Sequence, residues 1–178
     1  MPAFAFRHSF RLIGPGLLVA LAAVVFAFPA DAQLIVRHSL PIETAKAMAN
    51  AAQSKCKELG YSVSVHVVDT AGDTLVAYRG QDSGVHTFVN SFRKAYTAMT
   101  FRRPTSTFAE GITKGQTSTQ MQLMLPDMAG QQGGLPIKFG DEVIGGIGAS
   151  GAGMGQDTTC AQAGIDAVAG QLQPPAGR

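Results

Sequence analysis

Tryptophan is absent from this 178-residue chain and cysteine occurs only twice. Two thiols cannot build a disulfide-rich scaffold. Charged residues make up 15%, well below the usual ~25% of globular chains. A formal net charge of +2 leaves no basic footprint of the kind that nucleic acid requires. Beyond the first 32 residues the histidines are His38, His66 and His86, and they form no H-x-x-x-H or H-E-x-x-H pair. Neither cysteine lies in C-x-x-C, which speaks against structural zinc, and the absence of C-x-x-C-H excludes covalent c-type haem. No two carboxylates have a spacing that suggests acid/base work; Asp69 and Asp73 are turn residues by type. The residues therefore name no catalytic base. What the chain does have is 46% apolar content, which argues against disorder, and 21 glycines, above the usual ~7%.

Residues 1–32 read as a signal peptide. Arg7, His8 and Arg11 make a basic start, Leu12 to Phe28 an apolar run, and Ala30-Asp31-Ala32 an A-x-A cleavage site before Gln33. The apolar run is 17 residues and is broken by Gly14-Pro15-Gly16. That is short for a span of ~20 residues, so cleavage rather than an uncleaved anchor is expected. The expected mature chain, residues 33–178, carries 12 basic and 11 acidic groups. It reads as one domain, exported to a bacterial periplasm or secreted, with its cysteines in an oxidising compartment.

Ile42, Ala45, Met48, Ala49, Ala52, Cys56 and Leu59 recur at helical spacing, with Ser39 as the expected cap and Gly60 as the stop. Tyr61 to Val68 alternates strictly and predicts a strand. Asp69 to Asp73 is a turn, and Thr74 to Arg79 the return strand. His86 to Phe101 predicts a helix stopped by Arg103-Pro104. Short helices are expected from Thr105 to Gly111 and from Thr119 to Met128. A hairpin of Leu135 to Phe139 and Glu142 to Ala149 follows, then a helix from Gln156 or Asp157 to Ala169. Strands joined by tight turns are antiparallel, so the fold class is α+β with helices covering a small antiparallel sheet.

Four blocks carry a resemblance: VSVHVVDTAGDTLVAYR from Val63, KAYTAMTFRRPT from Lys94, GGLPIKFGDEVIGGIGASG from Gly133, and Gln156-Asp157 with Ala161 to Gly164. Together they resemble the HbpS-like or GlcG-like family, related to the C-terminal domain of PduO-type corrinoid adenosyltransferases. The resemblance implies a profilin-like α/β/α sandwich with helices on both sheet faces, assembled as a homo-oligomer. It also implies noncovalent haem as ligand, in a binding, sensing or haem-handling role, with haem degradation attributed to some members. The chain departs from the family pattern at Gly80 to Gly84, and His66 replaces a small apolar strand residue. The alternatives are an enzyme or accessory subunit acting on a small organic acid or aromatic compound in the same pocket, and an oligomeric interaction protein without a ligand. In profilin-like folds the terminal helices pack side by side. Antiparallel placement there would level Cys56 with Cys160 and predicts a disulfide between them.

Noncovalent haem needs one axial side chain in an apolar pocket. His86, at the start of the central helix, is the most reachable; the plain alternative is a solvated histidine. His66 shares a strand face with Ser62, Ser64 and Val68 and reads as a hydrogen-bonded core or interface residue, or as the ligand in place of His86. Arg93 and Lys94, with Arg102 and Arg103, flank Phe92, Tyr96 and Phe101. They could receive propionates or another carboxylate, or form a solvated helix face; the family block singles out Lys94 as pocket-lining. Met121, Met124, Leu125 and Met128, at helical spacing, read as core or subunit contact rather than metal ligands. Gly146 to Gly151 is a literal G-x-G-x-x-G, but too little chain follows to complete a βαβ unit. Ser150 has no histidine after it, which excludes the hydrolase order of serine, acid, histidine.

Overall fold

A computed structural model describes residues 34–120, 124–153 and 155–175. Residues from Val36 onward form one compact unit, and the expected signal peptide lies outside the described residues. No helix among the described residues is long and apolar enough to cross a membrane.

The order is α1 (Ile42–Glu58), β1 (Ser64–Val68), β2 (Thr74–Arg79), α2 (Val85–Phe101), α3 (Ser106–Thr113), β3 (Gly134–Phe139), β4 (Glu142–Ser150) and α4 (Gln156–Asp166). The four strands form one antiparallel sheet in the order β2-β1-β4-β3. The expected α+β sandwich is the observed fold. Two local expectations need correction. Helix α1 begins after Pro41, which no side chain caps, because the fixed proline φ of −65° already sets the entry and Ala45 N–H bonds Pro41 O; Ser39 lies outside. The helix expected over Thr119 to Met128 does not reach its end, since Leu125 to Asp127 form a bend and turn. Met121 lies outside the described residues, Met124 and Leu125 are exposed, and Met128 is buried.

Alternation along β1 and β4 gives the sheet two unlike faces. Val63, Val65, Val67, Ile147 and Ala149 point to the α1/α4 side, into a core with Ala45, Met48, Ala52, Ala161 and Val168. Each large apolar side chain buried there contributes about 1.5–3 kcal/mol over its exposed state. Helices α1 and α4 lie side by side, and a Cβ at Gly164 would meet Met48 O at 2.7 Å. The Cys56–Cys160 disulfide ties the pair, with a Cα–Cα distance of 5.4 Å.

The other face is polar and glycine-rich. A Cβ at Gly134, Gly146 or Gly148 would collide with the carbonyl oxygens of Lys94, Ala95 and Ser91 respectively, so α2 rests with its backbone on the sheet. Between them Ser64 Oγ meets Thr87 Oγ1 at 2.8 Å, and on another side of α2 Ala129 N–H, from the segment before β3, bonds Thr97 Oγ1 at 2.9 Å. The first half of the β3 edge is closed to further pairing. Thr105 bonds both N–H and C=O of Gly134, and Pro136 has no N–H to offer.

Candidate functional site

Helix α2 carries three different sides, set by the 100° turn between successive residues. Its inner side, through Ser91, Ala95 and Ala98, is buried on the sheet. Val85, Phe88, Val89 and Phe92, at i, i+3, i+4 and i+7, form a strip directed away from it. Val85 is 78% exposed, Val89 51% and Phe88 37%. His86 and Arg93 lie seven residues apart along the margin of this strip, about 10.5 Å along the helix axis. His86 is exposed. Arg93 is half-buried, and its Nε is buried with no hydrogen-bond partner among the described residues.

His66 lies beneath the strip, 4% exposed. The rings of Phe88 and Phe92 meet it edge-on, with centroids at 4.6 and 5.9 Å. Ser91 donates its hydroxyl hydrogen to Phe88 O at 2.9 Å, so Ser91 Oγ accepts from His66 Nδ1 at 2.8 Å. This network assigns the ring proton to Nδ1. Burial disfavours the imidazolium and pushes the pKa down to about 4, so the ring is neutral at physiological pH.

The third side of α2 faces residues 128–132. Asn90 donates to Gln131 Oε1 at 2.9 Å and to Ser150 Oγ at 3.1 Å. One turn further, the Lys94 ammonium is buried between Asp157 Oδ2 at 2.7 Å and Ala149 O at 3.1 Å. Asp157 Oδ1 accepts from Ala152 N–H at 2.8 Å, which satisfies the other carboxylate oxygen. Burial lowers the Lys94 pKa, against the opposing pull of Asp157. Lys94 and Asp157 border a cleft of about 420 Å³ with Gly130, Gln131, Gln132, Gly153, Gly155 and Ala109. That size lies within the ~300–1,000 Å³ of small-molecule and cofactor sites.

The four predicted site residues therefore divide. His86 and Arg93 share the outward side of α2, His66 supports that side from below, and Lys94 turns away into the cleft. Asp157 and Asn90 were not singled out by sequence reasoning. The one available signal was an acid in the first turn of the last helix, inside a family block; its distant partner, 63 residues away, left no local trace. No group of three or more His, Cys, Asp or Glu side chains among the described residues could hold a metal ion.

Residues 40–166 match the family of haem degrading protein HbpS-like chains. This chain belongs to the HbpS-like family. GlcG of Escherichia coli is 30% identical over 108 residues, covering 61% of this chain and 78% of GlcG. The crystal structure of HbpS is 32% identical with a TM-score of 0.69, covering 75% of this chain and 93% of that one. A crystal structure of a PduOC:heme complex has a TM-score of 0.69 at 24% identity, covering 73% and 95% of the two chains, which speaks for the fold alone. The expected HbpS-like and GlcG-like kinship is thereby confirmed, and the family match covers nearly all of the compact unit from Val36 onward.

Proposed function

We propose that this HbpS-like protein binds haem noncovalently on the outward side of α2, as an exported binding or sensing module. The observation that carries the reading is the uncovered apolar strip of Val85, Phe88 and Val89, bordered by His86 and by Arg93. The residues fit the group. An imidazole is a common axial ligand. The apolar strip suits one face of a porphyrin. The partnerless Nε of Arg93 suits a propionate, the carboxylate type that a guanidinium recognises best. Bound haem supplies a redox-active iron; His86 orients it, the strip excludes water from one face, and Arg93 neutralises an acid at its rim. Both cysteines are joined to each other, so neither thiol is available for a thioether link. The family's description as haem degrading points the same way.

Export rests on the A-x-A motif after the apolar run, and assembly as a homo-oligomer rests on the same uncovered strip, which a second subunit would help to cover. The deciding experiment is titration of the protein with haemin, followed by its Soret band. A stoichiometric shift is expected in the wild type, and His86→Ala should change the spectrum without changing oligomeric state. Absence of a shift in both redox states ends this reading; an unchanged His86→Ala spectrum moves the ligand to His66.

A further inference from the structure

The cleft behind Lys94 is separate from the strip that carries His86, and its chemistry is different. The Lys94 side chain is 3% exposed and that of Asp157 7%. An ammonium has three N–H donors, and among the described residues Lys94 has two acceptors, Asp157 Oδ2 and Ala149 O. Each Asp157 oxygen already accepts one hydrogen bond, Oδ2 from Lys94 and Oδ1 from Ala152 N–H. The pair cancels in formal charge. Helix α4, 11 residues long, opens on the same cleft at Gly155 with no side-chain cap, and adds about half a positive charge. The local field therefore favours an anion.

Three further features point to a ligand. Around Gly153 there is open space where a side chain would stand, so backbone rather than side chains borders the cleft there. Thr158 Oγ1, on the first turn of α4, is buried with no hydrogen-bond partner among the described residues. It borders a hollow that shares Gln132 and Gly155 with the cleft. Gln131, steadied by Asn90, and Gln132 bring amides that can bond a hydroxyl or oxo group beside the acid.

We propose that this cleft binds the carboxylate of an organic acid, held by the Lys94 ammonium and the first turn of α4. Such a carboxylate has two sources, a free small acid or a haem propionate.

The test is thermal unfolding of the full mature chain with propionate or benzoate, against propionamide and benzamide as neutral controls. At a hundredfold excess over Kd an acid that binds should raise Tm by about 5–10 °C, saturably, while the amides leave it unchanged. Lys94→Met combined with Asp157→Asn removes both charges while keeping an oxygen for Ala152 N–H. This double variant should fold and lose the response. Silence of both acids, equal effects of the amides, or a full response in the double variant overturns the proposal. Competition of benzoate by haemin, but not by its dimethyl ester, identifies the propionate as the source; no competition by either identifies a free acid. His86→Ala separates this site from the haem reading, because it should leave the acid response intact whatever it does to the Soret band.

Discussion

Removing one member of the Lys94–Asp157 pair should be far more damaging than removing both. Lys94→Met leaves a carboxylate almost wholly out of water, with the Ala152 N–H as its remaining donor among the described residues. An uncompensated buried charge of this kind costs about 3–5 kcal/mol. In a domain of this size each kcal/mol is worth roughly 2–4 °C, so Tm should fall by about 10–15 °C. Asp157→Asn strands the ammonium and should cost about as much. The double variant buries no charge and should return to within about 2 kcal/mol of the wild type, because the pair itself adds little net stability. The lowered pKa of Lys94 says the same thing: burial outweighs the attraction of Asp157. Urea unfolding of the four proteins gives the coupling as a double-mutant cycle, expected at about 3 kcal/mol or more. A Lys94→Met variant within 1 kcal/mol of the wild type would refute the reasoning, since it would place the ammonium in water.

Three other outcomes follow from the same geometry. His66 is held neutral in the fold at about pKa 4 and titrates near 6.5 when unfolded, so its contribution is fully present above pH ~6.5 and is lost as pH falls toward 4. The loss amounts to about 3 kcal/mol, and comparing urea midpoints of wild type and His66→Gln at pH 7 and pH 4 isolates it from the carboxylates; identical pH slopes would show an exposed ring. Reducing Cys56–Cys160 releases a loop of sequence separation 104 and should lower stability by about 4–5 kcal/mol in the chain-entropy picture. Urea curves of the oxidised protein and of the doubly Cys→Ala variant measure it, and coincident curves would contradict the estimate. Gly148→Ala puts a methyl group against the Ser91 carbonyl and should cost about 2–3 kcal/mol by lifting α2 from the sheet; a change below 0.5 kcal/mol in urea would mean that α2 does not rest there.

The secondary structure was legible because most of its signals are local. Alternation from Tyr61 to Val68 marked the two faces of β1, and apolar spacing from Ala45 to Cys56 marked the buried side of α1, with Ile42 exposed at its start. The Cys56–Cys160 bridge was anticipated only with the help of the family fold, which set the two helices side by side. Where a local signal failed, another local constraint had taken over, as when Pro41 displaced Ser39 at the start of α1.

By itself the sequence determined the element order, the antiparallel sheet and the membership of a glycine-rich α+β family, since periodicity and turn chemistry act over a few residues. Which charges meet was decided by the tertiary structure alone. Lys94 and Asp157 are 63 residues apart, and their pairing exists only because Gly134, Gly146 and Gly148 let α2 settle onto the sheet. The same seating turns Lys94 inward and leaves His86 and Arg93 outward, although Arg93 and Lys94 are neighbours in the chain. A helix rotates 100° per residue, so composition can supply the cations, but only packing against a partner decides which of them face solvent.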